Sequence, residues 1–78
     1  MVRAIGDEDG FTIHIWPNDH EPAHVHVYRA EAMAVIELGS LTVRGAYDMR
    51  VKDLRRAVEI VRANRGVLLR RWREIHED

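Results

Sequence analysis

The chain has no cysteine among its 78 residues. That excludes a disulfide scaffold, a thiolate zinc finger, an iron–sulfur site and a cysteine nucleophile. Proline occurs twice, and there is no repeat or low-complexity tract that would mark a linker or a repeat array. The longest apolar runs are a few residues, far short of the ~20 that a membrane-spanning helix needs. Met1 to Gly10 carries Arg3, Asp7, Glu8 and Asp9 around no apolar core, so the expectation is a chain without a secretory signal that works in a reducing cytoplasm. Length excludes something too. One domain of this size buries roughly 60–65% of its unfolded surface, so any site should be shallow or shared with a second chain.

Lysine is nearly absent: Lys52 is the single one, and the other eleven of the 12 basic residues are arginine. Arginine presents a planar fork suited to carboxylate and phosphate. The near-neutral total of −1 hides an asymmetry. Residues 1–48 hold three basic and eight acidic groups, a net of −5, and residues 49–78 hold nine and five, a net of +4. The basic half reads either as a solvated helix surface or as an anion or nucleic-acid surface through Arg55, Arg62, Arg70 and Arg73.

What is present is alternation. Phe11 to Trp16 alternates strictly, as a half-buried strand does, and Pro17 ends it. Gly6 to Gly10 reads as a solvated turn, and Pro17 to Pro22 as a polar loop. His24 to Tyr28 and Ala32 to Leu38 are further strands, Gly39-Ser40 suits a two-residue hairpin, and Leu41 to Arg44 is a short fourth strand. The period then lengthens. Val51, Leu54, Val58 and Val61 mark a helix over about 51–63, with Asp48 as a candidate cap. Asn64 is a break and a candidate cap for a second helix over about 65–76, whose buried stripe is Leu68, Trp72 and Ile75. The expected fold is α+β: a four-stranded antiparallel meander with two C-terminal helices packed on one face, a two-layer sandwich over one domain, residues 1–78.

Parity assigns the faces. Phe11, Ile13, Ile15, Val25, Val27, Ala34, Ile36, Leu38, Leu41 and Val43 point to the helices. Thr12, His14, Trp16, His24, His26, Tyr28, Met33, Val35, Glu37, Thr42 and Arg44 point away. Three of the five histidines thus share the face left uncovered, where Met33 and Val35 beside Trp16 and Tyr28 would make an apolar patch rimmed by histidine and arginine. Such a patch suits a partner interface. The ligand or partner face is therefore His14, Trp16, His24, His26, Tyr28 and Arg44. His76, near the end of the second helix, reads as a polar surface residue.

The densest chemistry is Asp19-His20-Glu21-Pro22-Ala23-His24-Val25-His26. His24 and His26 project the same way from a strand, about 6–7 Å apart at Cβ. With Asp19 and His20 they form a donor set for a divalent metal such as zinc or nickel. His24-x-His26 followed by Glu31 partly matches a cupin metal motif, but the chain is too short for that barrel and its last third is helical. A metal-free alternative is general acid–base cleavage of RNA by a histidine pair, with Arg29 or Arg44 as the cation for the transition state.

These residues carry a resemblance. The segment from Trp16 to His26 resembles the signature Asp-His-x-Pro-Pro-His-Phe-His of a small bacterial family, domain of unknown function four-one-six-zero. The strand Ala32-Met33-Ala34-Val35-Ile36 and the helical end with Leu68-Leu69 and Trp72 are similar as well. Ala23 and Val25 depart from the signature, while His20, His24 and His26 keep it. The resemblance implies a component of toxin–antitoxin type, acting through a partner protein encoded nearby, with RNA cleavage or interference with translation as the toxic action; self-association through the uncovered face is the other expected partnership. The first reading of function is therefore a small interaction protein using the histidine and aromatic face, and the alternative is a metal-binding or RNA-hydrolysing domain using Asp19, His20, His24 and His26.

Overall fold

The computed structural model describes the backbone of residues 2–77 and the side chains of residues 8–77. Five antiparallel strands form one sheet in sequence order: β1 (Val2–Glu8), β2 (Phe11–Ile15), β3 (His24–Arg29), β4 (Ala32–Glu37) and β5 (Val43–Tyr47). Two helices follow, α1 (Val51–Ala63) and α2 (Arg65–His76). This is the expected α+β meander with two C-terminal helices. It is extended by one strand at the N-terminal edge, where Gly6 to Glu8 had read as a turn. The turn itself is Asp9-Gly10, both at positive φ, a conformation that glycine adopts without strain.

The inner face is apolar as parity requires. Phe11, Ile13, Ile15, Val25, Val27, Ala34, Ile36 and Leu38 are buried, and they pack with Ala57, Ile60 and Val61 of α1 and Leu68 and Trp72 of α2. Full burial of each large aliphatic side chain stabilises by roughly 1.5–3 kcal/mol, so this layer holds the sheet and helices together. Leu41 and Val43 are only half-buried at its margin.

The β4–β5 connection differs from a two-residue hairpin. Glu37 N–H donates to the Thr42 carbonyl and Leu41 N–H to the Glu37 carbonyl, and Leu41 has φ 61°. The loop therefore runs through residues 38–42, and β5 starts at Val43 instead of Leu41. Strand β5 also contains a bulge. Val35 pairs with Gly45 while Ile36 pairs with Val43, which leaves Arg44 as an inserted residue. The insertion reverses the parity beyond it, so Gly45 and Tyr47 lie in the rows of the outer face. Alternation continued from Val43 would have put them inside.

The helix ends depart from the expected caps. Arg50, not Asp48, is the residue before α1, and it makes no side-chain cap; Asp48 lies in the preceding turn at φ 54°. Asn64 does join the helices. Its side-chain amide donates to the Ile60 carbonyl of α1 at 2.8 Å, however, and makes no cap for α2.

Candidate metal centre on the outer face of the sheet

The site begins with pairing. His14 on β2 lies opposite His26 on β3, and His26 lies opposite Val35 on β4, which faces Gly45 on β5. One row of the outer face thus runs through His14, His26, Val35 and Gly45. His24 is one step along the same face, opposite Glu37. The loop between β2 and β3 then folds back over β3, with a turn closed by Asp19 N–H donating to the Trp16 carbonyl. That turn aims the Asp19 carboxylate at both imidazoles.

Asp19 Oδ2 lies 3.0 Å from His24 Nε2 and 3.1 Å from His26 Nε2. One donor atom from each of the three residues falls within 4.8 Å of the others, so Asp19, His24 and His26 form a group that could hold a metal ion. Donor atoms ~2.0–2.2 Å from such an ion stand roughly 3.3–3.6 Å apart at the tetrahedral angle and roughly 2.8–3.1 Å apart at right angles, so the two oxygen–nitrogen distances suit octahedral spacing and must open by a few tenths of an ångström for a tetrahedral ion. His24 is 6% exposed, while the Asp19 and His26 side chains are 25% and 16% exposed, so the group is anchored within the protein and reached from one side.

The second nitrogen of His24 fixes its chemistry. Nδ1 faces the Pro22 carbonyl at 2.9 Å, and a carbonyl only accepts, so Nδ1 carries a proton. In the neutral ring Nε2 is then a bare lone pair. It points at a carboxylate oxygen, also a lone pair, at 3.0 Å. Two acceptors at this distance need a cation between them or a proton that makes the ring an imidazolium. Metal-bound histidines are oriented in this manner, by donating the other N–H to a carbonyl. His26 has no equivalent: its Nδ1 is buried without a hydrogen-bond partner among the described residues. Ligation through His26 Nε2 would leave that N–H unsatisfied, at about 1–3 kcal/mol.

The surrounding rings form a chain. Trp16 leans on His26 with centroids 5.4 Å apart, His24 stands 5.6 Å from His26, and Trp72 lies 5.4 Å from His24. Trp72 Nε1 donates to Glu21 Oε2 at 3.0 Å, tying the loop that carries Asp19 and Pro22 to helix α2. His76 stacks on Trp72 at 3.8 Å and donates Nδ1–H to the Trp72 carbonyl. His24 is therefore covered by α2, although parity puts it on the face away from the helices, and His76 is a half-buried packing residue instead of a free polar one.

Other expected site residues fall elsewhere. His20 is exposed in the loop and lies outside the cluster. His14 is buried, hydrogen-bonded to Thr12 Oγ1 at 3.1 Å, with its ring edge-on to Tyr28 at 5.2 Å. Arg29 is occupied at the far end of β3, over the Phe11 ring and 3.5 Å from Asp53. Arg44 does reach the cluster: it lines a depression of about 290 Å³ with His24, His26, Val35, Gly45 and Tyr47. Met33 and Val35 are half-buried, so the exposed aromatic surface is Trp16 and Tyr47. Tyr47 escaped the sequence reading because only the bulge at Arg44 turns it outward. Arg55, Arg62, Arg70 and Arg73 are exposed on the helices.

Fold and site together define a small α+β sandwich with a two-histidine, one-carboxylate cluster on its open face. The chain belongs to the family described as Domain of unknown function (DUF4160), whose model matches residues 10–73. No curated protein and no solved structure matches it.

Proposed function

We propose that this protein is a divalent-metal-binding domain, holding zinc or nickel through Asp19, His24 and His26. The observation that carries the reading is the His24 arrangement. Its protonated Nδ1 is committed to the Pro22 carbonyl, so its Nε2 lone pair faces a carboxylate oxygen at 3.0 Å. A divalent ion satisfies that contact in place of the proton that an imidazolium would put there. Three protein donors leave at least one coordination position for water or substrate, and such an ion can act as a Lewis acid or lower the pKa of bound water. Hydrolysis of a phosphate ester, RNA included, is the reaction class that fits.

The deciding experiment is native mass spectrometry of untagged protein purified without chelator, followed by zinc and nickel titration. One ion per chain is expected, lost when His24→Ala and His26→Ala are combined. A wild-type chain that takes up neither ion, or a double mutant that keeps full metal content, would sink the reading.

A second reading is an interaction module of toxin–antitoxin type in the bacterial cytoplasm, binding a small protein partner or a second copy through the same face. It is favoured by the exposure of Trp16 at 40% and Tyr47 at 58%. Under it, Trp16→Ala and Tyr28→Ala weaken partner binding more than the histidine changes do. Nucleic-acid binding by Arg55, Arg62, Arg70 and Arg73 would instead show affinity falling steeply with salt.

A further inference from the structure

Three side chains beside the cluster have no part in holding a metal: Arg44, Tyr47 and Trp16. Each is brought there by a specific feature of the fold. Arg44 follows the inward Val43 and so keeps the outer-face position that alternation gives it, lining the depression with His24 and His26. Its contact is with Glu37 at 3.7 Å, beyond hydrogen-bonding distance, and its side chain is 43% exposed. The fork is therefore available to another oxyanion. Tyr47 folds back along β5 so that its phenol lies against Gly45. A Cβ on Gly45 would stand 3.0 Å from Tyr47 Oη and 3.3 Å from Cε2, so a side chain at residue 45 would push the ring aside by a few tenths of an ångström. The Tyr47 ring is thereby laid along the row that holds His26 and Val35. Trp16 stands on the opposite flank, against His26.

A cation fork and an aromatic face in one depression with metal-ligating atoms make a composite recognition surface. Arginine grips phosphate bidentately, and an exposed aromatic ring stacks on a nucleobase. We propose that the depression lined by His24, His26, Arg44, Gly45 and Tyr47 binds a nucleoside monophosphate unit. Its phosphate sits between Arg44 and the metal, and its base lies on Tyr47 or Trp16. The inference rests on the metal reading for one of the two phosphate contacts. Charge supports that division. With neutral imidazoles, Asp19 and Glu37 outweigh Arg44 by one negative charge, and a divalent ion reverses the sign. Anion binding should therefore strengthen when metal is present.

The test is calorimetric titration of zinc-loaded and zinc-free protein with AMP, inorganic phosphate and adenosine. AMP is expected to bind the zinc-loaded protein at least tenfold tighter than either fragment. Arg44→Ala should weaken AMP at least tenfold, and Gly45→Ala, which displaces the Tyr47 ring, several-fold. Zinc stoichiometry should stay at one in both variants. Hexa-adenylate separates the sources: tighter binding than AMP assigns the unit to a strand, equal binding to the free nucleotide. Zinc uptake without AMP binding, or AMP binding indifferent to Arg44→Ala, overturns the inference and leaves the metal reading intact. Phosphate binding as tight as AMP removes the base contact and overturns it as stated. If zinc is not taken up, the metal reading fails by itself. Arg44-dependent AMP binding to the zinc-free protein then keeps the subsite, and its absence removes both.

Discussion

The two faces of one sheet do different work with adjacent residues. Along β3, Val25 and Val27 are fully buried against the helices, while His24, His26 and Tyr28 between them carry polar and aromatic groups on the other side. The inner face is purely apolar and specifies the fold through packing. The outer face gathers Asp19, two imidazoles, an arginine and exposed rings, and it packs less tightly. Interleaving them at a period of two lets a small chain place chemistry within one residue of its core. The cost is that a register slip by one residue would exchange the faces. The separation is incomplete at one end, where Trp72 belongs to the core and also touches His24 and Glu21.

The strongest break of this comparison is on the inner side. Ile36→Ala removes a side chain that is 0% exposed at the centre of the sheet. The expected loss is about 2–5 kcal/mol, against a total stability on the order of 4–12 kcal/mol for a chain of this size. Urea denaturation measures it. The fraction still folded should keep its zinc affinity, and a parallel loss of zinc affinity would show that the faces are coupled. Next in size is the outer side. Asp19→Asn or His26→Ala should weaken zinc binding more than 100-fold and move the unfolding midpoint little, because both side chains are only partly buried. Trp16 and Trp72 abut the two histidines, which makes tryptophan fluorescence a reporter for both measurements.

The two faces were not equally legible in the sequence. The inner face could be read residue by residue from Phe11 to Leu38, because alternation within a strand reports parity directly. The gathering of Asp19, His24 and His26 was legible as a density of donors. What failed depends on contacts between distant segments. Strand β1 is an edge whose pairing with β2 is irregular at two points, so its own residues do not announce it. The bulge at Arg44 inserts a residue opposite Val35 and Ile36, and no pattern local to β5 encodes that insertion. His20 was indistinguishable from Asp19 by spacing, since the fold of the loop decides which side chain turns inward. The Glu21 bond to Trp72 links residues 51 apart.

That bond gives an intermediate prediction where the faces meet. Glu21 is exposed, yet it accepts the Trp72 indole N–H. Glu21→Ala would leave a partly buried donor without its partner, and the expected destabilisation is about 1 kcal/mol. The same change frees the loop that presents Asp19 and the Pro22 carbonyl, so zinc affinity should fall a few-fold. Glu21→Gln keeps an acceptor and should restore most of both. A Glu21→Ala protein with unchanged zinc affinity would show that the β2–β3 loop holds Asp19 over β3 without the tie to α2.

The smallest effect should lie on neither face. Arg56 pairs with Asp9 at 2.7 Å, a contact between α1 and the β1–β2 turn that is among the shortest ion pairs of the described residues. Both side chains are exposed, at 44% and 59%, where solvent screening offsets most of the attraction. The Asp9 hydrogen bond, set against desolvation, raises the arginine's pKa above its already high ordinary value. A raised folded pKa contributes stability that is complete below the unfolded value and is lost only as pH climbs through the folded one. For arginine that window lies far above neutrality, so Arg56 contributes no pH dependence between pH 5 and 9. Arg56→Gln should therefore leave the unfolding midpoint unchanged across that range, and zinc affinity with it. A resolvable drop in stability would mean that the β1–β2 turn is held by charge as well as by the buried inner face, and the division of labour between the two faces would then need a third contributor at the sheet's edge.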